Sequence, residues 1–171
     1  MAEQLVVNTG PLIALQRANA LDVVGQLPFE FLSPTEVQQE LLEGVRHGHE
    51  PVSPPWVRFA SLSRPLDLVA RVNLGAGEAA VIELALQEGI RRVVIDERRG
   101  RRAALAVGLQ VTGTLGLLGR AKALGLVPAV RPFVEVLRVS GWYDPAVIDG
   151  FLSAMATIGS ASRVSTRRAG R

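Results

Sequence analysis

The chain has 171 residues, of which 48% are hydrophobic and 20% charged, and this composition indicates one globular domain with a sizeable core. It has no cysteine, which excludes disulfides and cysteine nucleophiles, and no apolar run of the ~18 residues that a membrane span needs, nor a signal peptide, so we expect a cytoplasmic protein. The formal net charge is +3, but the last twelve residues hold four Arg and no acid. We therefore expect one domain over residues 1–158 and a basic, disordered tail over 159–171.

Short apolar runs alternate with helical segments along the chain. The predicted strands cover residues 5–7, 29–32, 93–95 and 109–111. The predicted helices cover residues 11–15, 33–45, 77–88, 98–107, 113–124, 128–139 and 145–156. This alternation predicts an α/β fold of three layers (α/β/α), with a central parallel sheet of about four or five strands covered by helices on both faces.

Polar side chains follow three of the predicted strands. They are Asn8, Thr9, Asp96, Glu97, Thr112 and Thr114. Polar residues commonly end strands, so each alone is equally consistent with an ordinary strand end. Because ligands of parallel sheets bind outside the carboxyl ends of the strands, however, this edge is where we expect a functional site.

Two glutamates lie in or beside the apolar face of their predicted helices. At about 100° per residue, Glu78 falls in the middle of the apolar stripe of its helix, where a carboxylate is costly unless something compensates it. The alternative is that Glu78 only stabilises the first helical turn, but a capping acid has no need to face the core. Glu40 flanks the apolar side of the preceding helix, and an acidic residue at such a position is usually exposed at the protein surface.

Together, Glu40, Glu78 and Asp96 would form one acidic pocket beside Asn8 and Thr114. Carboxylates repel one another at close range unless a cation neutralises them. Oxygen ligands without cysteine favour Mg²⁺ or Mn²⁺. Such an ion lowers the pKa of a bound water and stabilises charge on a phosphodiester, so the pocket predicts metal-dependent hydrolysis.

Six arginines lie between Arg91 and Arg102, on both sides of Asp96. On the predicted helix, Arg98 and Arg102 share a face, as do Arg99 and Arg102. A solvated helix face is the common outcome for such a run of charge. Beside an acidic, metal-binding edge, the same face would suit a nucleic-acid phosphate backbone.

The segment WYDP at residues 142–145 is predicted to open the last helix, with Asp144 as its N-cap. We expect the two aromatic residues, Trp142 and Tyr143, to pack against the domain. The alternative is that they belong to a dimer or partner surface.

Five ordered segments between about residues 5 and 126 resemble the motifs of PIN-like domains. They are VVNTGPLIAL at 6–15, PTEVQQEL at 34–41, GAGEA at 75–79, IDERRGR at 95–101 and VTGTLG at 111–116. Each motif alone is weak, but the ordered set is fairly specific. The chain is most similar to a small prokaryotic subfamily with Asn in the first motif.

The resemblance implies a Mg²⁺- or Mn²⁺-dependent endoribonuclease of the VapC toxin type, with RNA as substrate, a small antitoxin as partner and a homodimeric state. The implied metal-binding and catalytic residues are Asn8, Glu40, Glu78 and Asp96. The implied supporting residues are Thr9, Glu97, Thr112 and Thr114, and the implied RNA-binding residues are Arg98, Arg99 and Arg102. Asn8 stands where most active members carry Asp, and Thr114 where many carry a further Asp.

Two alternatives stay open at this point. The first is a PIN-like domain of impaired catalysis that binds RNA or an antitoxin. The second is a dinucleotide-binding domain, because residues 75–80 contain G-x-G-x-x-A and Asp96 follows about twenty residues later. Against the second, Glu78 would lie where the pyrophosphate must bind and would repel it.

Overall fold

The computed structural model describes residues 1–66 and 73–167, with side chains as far as residue 158. Its sheet has five strands: β1 (Glu3–Val7), β2 (Phe29–Pro34), β3 (Val57–Ala60), β4 (Arg92–Val94) and β5 (Gln110–Thr112). The strand order is β3-β2-β1-β4-β5, and every neighbouring pair is parallel. The prediction of an α/β fold with a parallel sheet of four or five strands is therefore confirmed.

Helices cover both faces of this sheet. They are α1 (Thr9–Arg17), α2 (Leu21–Gly25), α3 (Thr35–Arg46), α4 (Ala76–Glu88), α5 (Arg98–Ala106), α6 (Thr114–Ala123), α7 (Arg131–Val139) and α8 (Pro145–Arg167). Helix α4 packs on β1, β2 and β4 and also contacts α3 and α5, and α1 contacts α2, α3, α6 and α7. Among the helices that the structure describes, none is both long and apolar enough to cross a membrane.

The core forms where the two central strands lie between these helical layers. Leu5 and Val6 of β1 and Val93 and Val94 of β4 are fully buried. Strands covered on both faces are apolar at consecutive positions rather than at alternate ones, which is the pattern of these runs. Helix α4 ends at Glu88, and the next residue, Gly89, has a φ of +67°, the left-handed conformation that favours glycine after a helix.

Three elements differ from the prediction. The prediction missed β3, a strand of only four residues that follows a proline-rich loop, and it missed α2, a helix of five residues. Helix α8 runs to Arg167 rather than to Ala156, because adding residues to a formed helix is easier than nucleating one, even in a Ser- and Arg-rich segment. The division of the chain at residue 158 stays a prediction.

The strand order creates a switch point at the centre of the sheet. From β1 the chain moves outward through β2 to β3, and it then returns past β1 to form β4 and β5. The connections that leave β1 and β4 therefore diverge, which opens a crevice at the carboxyl ends of these strands. Asn8 follows β1 and Asp96 follows β4 closely, so both lie at this crevice.

Candidate functional site

Asn8 lies at the centre of the crevice with an unused oxygen. Its backbone N–H donates to the carbonyl of Val94 at 3.0 Å, and its side chain is only 4% exposed. An Asn before a helix usually caps it through its side chain, but Asn8 makes no such bond to α1. Its Oδ1 is buried and accepts no hydrogen bond from the part of the chain that the structure describes. Since an unsatisfied buried acceptor is costly, this atom is a candidate ligand for a cation.

Asp96 accepts two hydrogen bonds from one residue, Thr114. Its Oδ1 accepts the Thr114 backbone N–H at 2.8 Å, and its Oδ2 accepts the Thr114 hydroxyl, also at 2.8 Å. Thr114 begins α6 and is fully buried, so its position is fixed by packing. The pairing of β4 with β5 brings the two residues together, because Thr112, two residues earlier, accepts a hydrogen bond from Ile95.

Glu78 is buried in the first turn of α4, as its place on the helical wheel predicts. It is 7% exposed, and its Oε1 has no hydrogen-bond partner among the described residues. The pKa of the Glu78 carboxyl is raised from 4.5 to about 7, chiefly by burial, then by a hydrogen bond with Glu97 and by the charges of Glu97 and Glu40, while a hydrogen bond with the Gly75 backbone acts in the opposite direction. A cation placed beside Glu78 would reverse this effect and restore the charged form.

Glu40 joins three helices through its carboxylate. The side chain extends from α3, where its Oε1 accepts the backbone N–H of Gly77 in α4 at 2.9 Å and its Oε2 accepts the hydroxyl of Thr9 in α1. A carboxylate therefore occupies the N-terminus of α4, where a dinucleotide would need to place its pyrophosphate. This contact argues against the dinucleotide-binding alternative, as does the position of Glu78 in the same turn.

The site residues fall into two groups in the structure. Glu78 interacts electrostatically with Glu40 and Glu97, whereas Asp96 contacts Thr114 and Tyr143. In the described ranges, no three or more His, Cys, Asp or Glu side chains are arranged to hold a metal ion. The site thus has the chemistry that a hard cation requires, with oxygen donors, excess negative charge and unpartnered buried oxygens, but its donors are not gathered around one point.

The exposed arginines of α5 extend into solvent beside this site. Arg98, Arg99 and Arg102 are exposed, and no carboxylate of the described residues forms an ion pair with any of them. Their charge is therefore available to an anionic partner. Thr112, the remaining predicted supporting residue, lines a cavity that also includes Asp96.

Two residues beside Asp96 were not predicted as part of the site. Arg101 is half-buried, and its Nη1 donates to the carbonyl of Ile95 at 2.8 Å. Tyr143 has a buried hydroxyl, and burial together with the nearby Asp96 carboxylate raises the pKa of the phenol well above its usual range. The arginine-rich run in the sequence includes Arg101, but nothing in the sequence distinguishes Arg101 from the neighbouring arginines. No signal near Tyr143 in the sequence places it beside Asp96, since that contact depends on the packing of α8.

Gly77 offers a test of how Glu40 is positioned. A Cβ at residue 77 would lie 2.7 Å from Oε1 of Glu40, and only the flexible end of that side chain would need to move. We therefore expect Gly77→Ala to displace the Glu40 carboxylate while changing the free energy of unfolding by less than about 1 kcal/mol, since Ala also favours the helix. Calorimetry should show weaker Mn²⁺ binding and an almost unchanged melting temperature.

The matched control for this experiment is Gly150→Ala. Gly150 is also helical, but a Cβ there has nothing within 4 Å, so Mn²⁺ affinity should not change. Equal Mn²⁺ affinity in Gly77→Ala and the unmodified protein would show that Glu40 does not contribute to cation binding.

A family model described as a PIN domain matches residues 4–156, which is most of the chain. No curated protein and no solved structure matches the chain. The match covers every residue of the site described above and all five strands except for Glu3, the first residue of β1.

Proposed function

Because the chain belongs to the PIN-domain family, whose members are generally nucleases, we propose that it is a divalent-metal-dependent endoribonuclease. The observation that carries this proposal is the pair of buried, unpartnered oxygens, Oδ1 of Asn8 and Oε1 of Glu78, at the carboxyl edge of the sheet. Both are hard donors, and Glu78 has two further carboxylates as electrostatic neighbours. A site of this kind attracts Mg²⁺ or Mn²⁺ and disfavours softer ions.

Asn8, Glu40, Glu78 and Asp96 are the residues that would hold the metal. When bound, the ion supplies a water of lowered pKa and stabilises negative charge on the phosphodiester. The protein's own part is to orient these donors: Thr114 holds both oxygens of Asp96, and the α4 N-terminus holds Glu40.

The remaining residues would position the substrate. The exposed guanidinium groups of Arg98, Arg99 and Arg102 are available to the phosphates that flank the cleaved bond. Such contacts secure the backbone without reading its sequence, so they favour affinity for RNA over base specificity. Thr9 would act through Glu40, because its hydroxyl donates to the Glu40 carboxylate. Glu97 would act through Glu78, because the two carboxyl groups interact.

We further propose that the protein is the toxin of a toxin–antitoxin pair, that a small antitoxin blocks its site, and that it forms a homodimer in the cytoplasm. These proposals rest on the resemblance of the five motifs to VapC-type proteins. Co-expression with a candidate antitoxin and measurement of the mass of the complex in solution test the partner and the oligomeric state together.

Asn8→Asp tests whether the site is a metal centre. The change places a charge on the unpartnered oxygen, so we expect tighter Mn²⁺ binding and faster cleavage of a fluorogenic RNA, by about tenfold for roughly 1.4 kcal/mol of added stabilisation. Initial rates measured across a Mn²⁺ titration would show the change.

Asn19→Asp is the matched control, because Asn19 is exposed and Asp tolerates its positive φ of 54°. A binding module without activity is the competing function. If the unmodified protein and Asn8→Asp both bind RNA but cleave none in Mn²⁺, the module is supported and the nuclease is rejected.

A further inference from the structure

A cavity beside Asp96 is lined by none of the three glutamates of the site. It has a volume of about 420 Å³ and is bordered by α5, the turn between β5 and α6, and the beginning of α8. Its polar lining includes Asp96, Arg101, Thr112 and Tyr143. None of the donors assigned to the metal site except Asp96 lines it.

Arg101 brings an unneutralised cation to this cavity. The bond from its Nη1 to the Ile95 carbonyl fixes the guanidinium at the end of β4. No carboxylate of the described residues lies within 4 Å of its nitrogens, although Asp96 lines the same cavity. A guanidinium has five donors, so the bond to Ile95 leaves most of them available to an anion.

Tyr143 brings a buried hydroxyl to the same place. The hydroxyl lies close enough to Asp96 and Thr114 to interact with both, but it forms no well-aligned hydrogen bond with the residues that the structure describes. Both oxygens of Asp96 already accept hydrogen bonds from Thr114. A ligand oxygen in the cavity would give the hydroxyl a better-aligned acceptor.

Gly113 keeps the space between these groups open. A Cβ at this residue would lie 2.7 Å from Oδ1 of Asp96 and 3.0 Å from Nη1 of Arg101. Any side chain at residue 113 would therefore displace both polar groups. The backbone here has a φ of −128°, which any residue adopts, so the reason for glycine is space and not conformation.

We propose that this cavity binds a phosphate group, with the Arg101 guanidinium and the Tyr143 hydroxyl as its donors. The cation, the buried hydroxyl and the open space at Gly113 all favour a small anion with several acceptor oxygens. That this phosphate belongs to the RNA backbone next to the cleaved bond rests on the proposed function. The cavity is large enough to take the attached ribose as well.

Asp96 also has a negative charge at this cavity, and two features offset its repulsion of the phosphate. Both of its oxygens are stabilised by hydrogen bonds from Thr114, and Arg101 lies on the same wall. Phosphate binding should therefore persist when divalent metal is removed, which separates this site from one in which the ion itself holds the phosphate.

The test is a calorimetric titration with inorganic phosphate and with uridine 3′-monophosphate in the presence of EDTA, at constant ionic strength. We expect Arg101→Gln to weaken the binding of both probes at least tenfold and Tyr143→Phe to weaken it several-fold. Arg120→Gln is the control, because Arg120 is an exposed arginine of α6 that lines a different cavity. Tyr143→Phe removes only a hydroxyl whose contacts with Asp96 and Thr114 are poorly aligned, so its melting temperature should change little.

The inference would be overturned if Arg101→Gln and Tyr143→Phe left the affinity for phosphate unchanged. It would also be overturned if Arg120→Gln weakened phosphate binding equally, or if phosphate binding required Mn²⁺. RNA cleavage by the unmodified protein, measured in parallel, separates the two proposals. Cleavage without phosphate binding refutes the phosphate site alone. Phosphate binding without cleavage supports the phosphate site and refutes the nuclease.

Discussion

Replacing Asp96 by Asn should lower Mn²⁺-dependent RNA cleavage by at least about 100-fold, since losing even an outer-shell partner of a metal ligand costs about 10–100-fold. The change removes a charge that the proposed ion needs. It also places an NH₂ group opposite either the N–H or the hydroxyl of Thr114, both of which now donate to Asp96. Rates under saturating RNA, with melting temperatures measured in parallel, separate lost chemistry from lost folding.

Asp144→Asn provides the matched control for this prediction. Asp144 is exposed and caps α8, where its Oδ1 accepts the N–H of Ala146 at 2.8 Å, which confirms its predicted role. Asn caps helices about as well as Asp, so both cleavage and stability should persist. A stable Asp96→Asn protein that cleaves RNA at the normal rate would exclude Asp96 from catalysis.

Glu78→Gln should remove a pH dependence of stability. The Glu78 carboxyl has a pKa of about 7 in the folded protein and 4.5 ordinarily, so the folded state retains the proton longer than the unfolded state. The contribution of Glu78 to stability is therefore greatest below pH 4.5 and is lost as the pH rises through 7, by at most roughly 3 to 4 kcal/mol at 1.36 kcal/mol per pKa unit. Coupling with Glu97 spreads this titration over the pair.

Urea unfolding at several pH values between 4.5 and 8 measures this effect. We expect a steeper loss of stability in the unmodified protein than in Glu78→Gln, and we expect Mn²⁺ to restore stability above pH 7 only in the unmodified protein. The control is Glu88→Gln, an exposed acid at the other end of α4, whose profile should match the unmodified one. Parallel profiles for all three proteins would contradict a raised pKa at Glu78.

The parallel sheet could be predicted because its central strands are short, apolar and separated by helical segments. Strands β1 and β4 can be predicted without tertiary information, because a strand that is buried on both faces has apolar residues at consecutive positions. Strand β3 could not be predicted in this way. Strand β3 lies at the edge of the sheet, and only Val57 of its four residues is buried. The strand therefore has no apolar run comparable to those of β1 and β4.

The site was predictable in its residue types but not in its grouping. Helical periodicity is enough to turn Glu78 toward the core, and strand ends are enough to bring Asn8 and Asp96 to one edge. Which carboxylates contact each other depends on how the helices pack. Only the structure therefore shows that Glu78 interacts with Glu97 and that Thr114 donates two hydrogen bonds to Asp96. Side-chain contacts across 47 residues, such as that of Tyr143 with Asp96, leave no local pattern.

The strands of the sheet and the walls of the site are completed at different times during translation. All five strands have been synthesised by Thr112, but Tyr143 and the buried Ile148 of α8 come some thirty or more residues later. A nascent chain thus passes through a stage with every strand made and the crevice still lacking one wall. A chain at that stage lacks Tyr143, one of the two donors proposed to bind phosphate, so its affinity for phosphate should be lower than that of a chain extended through α8.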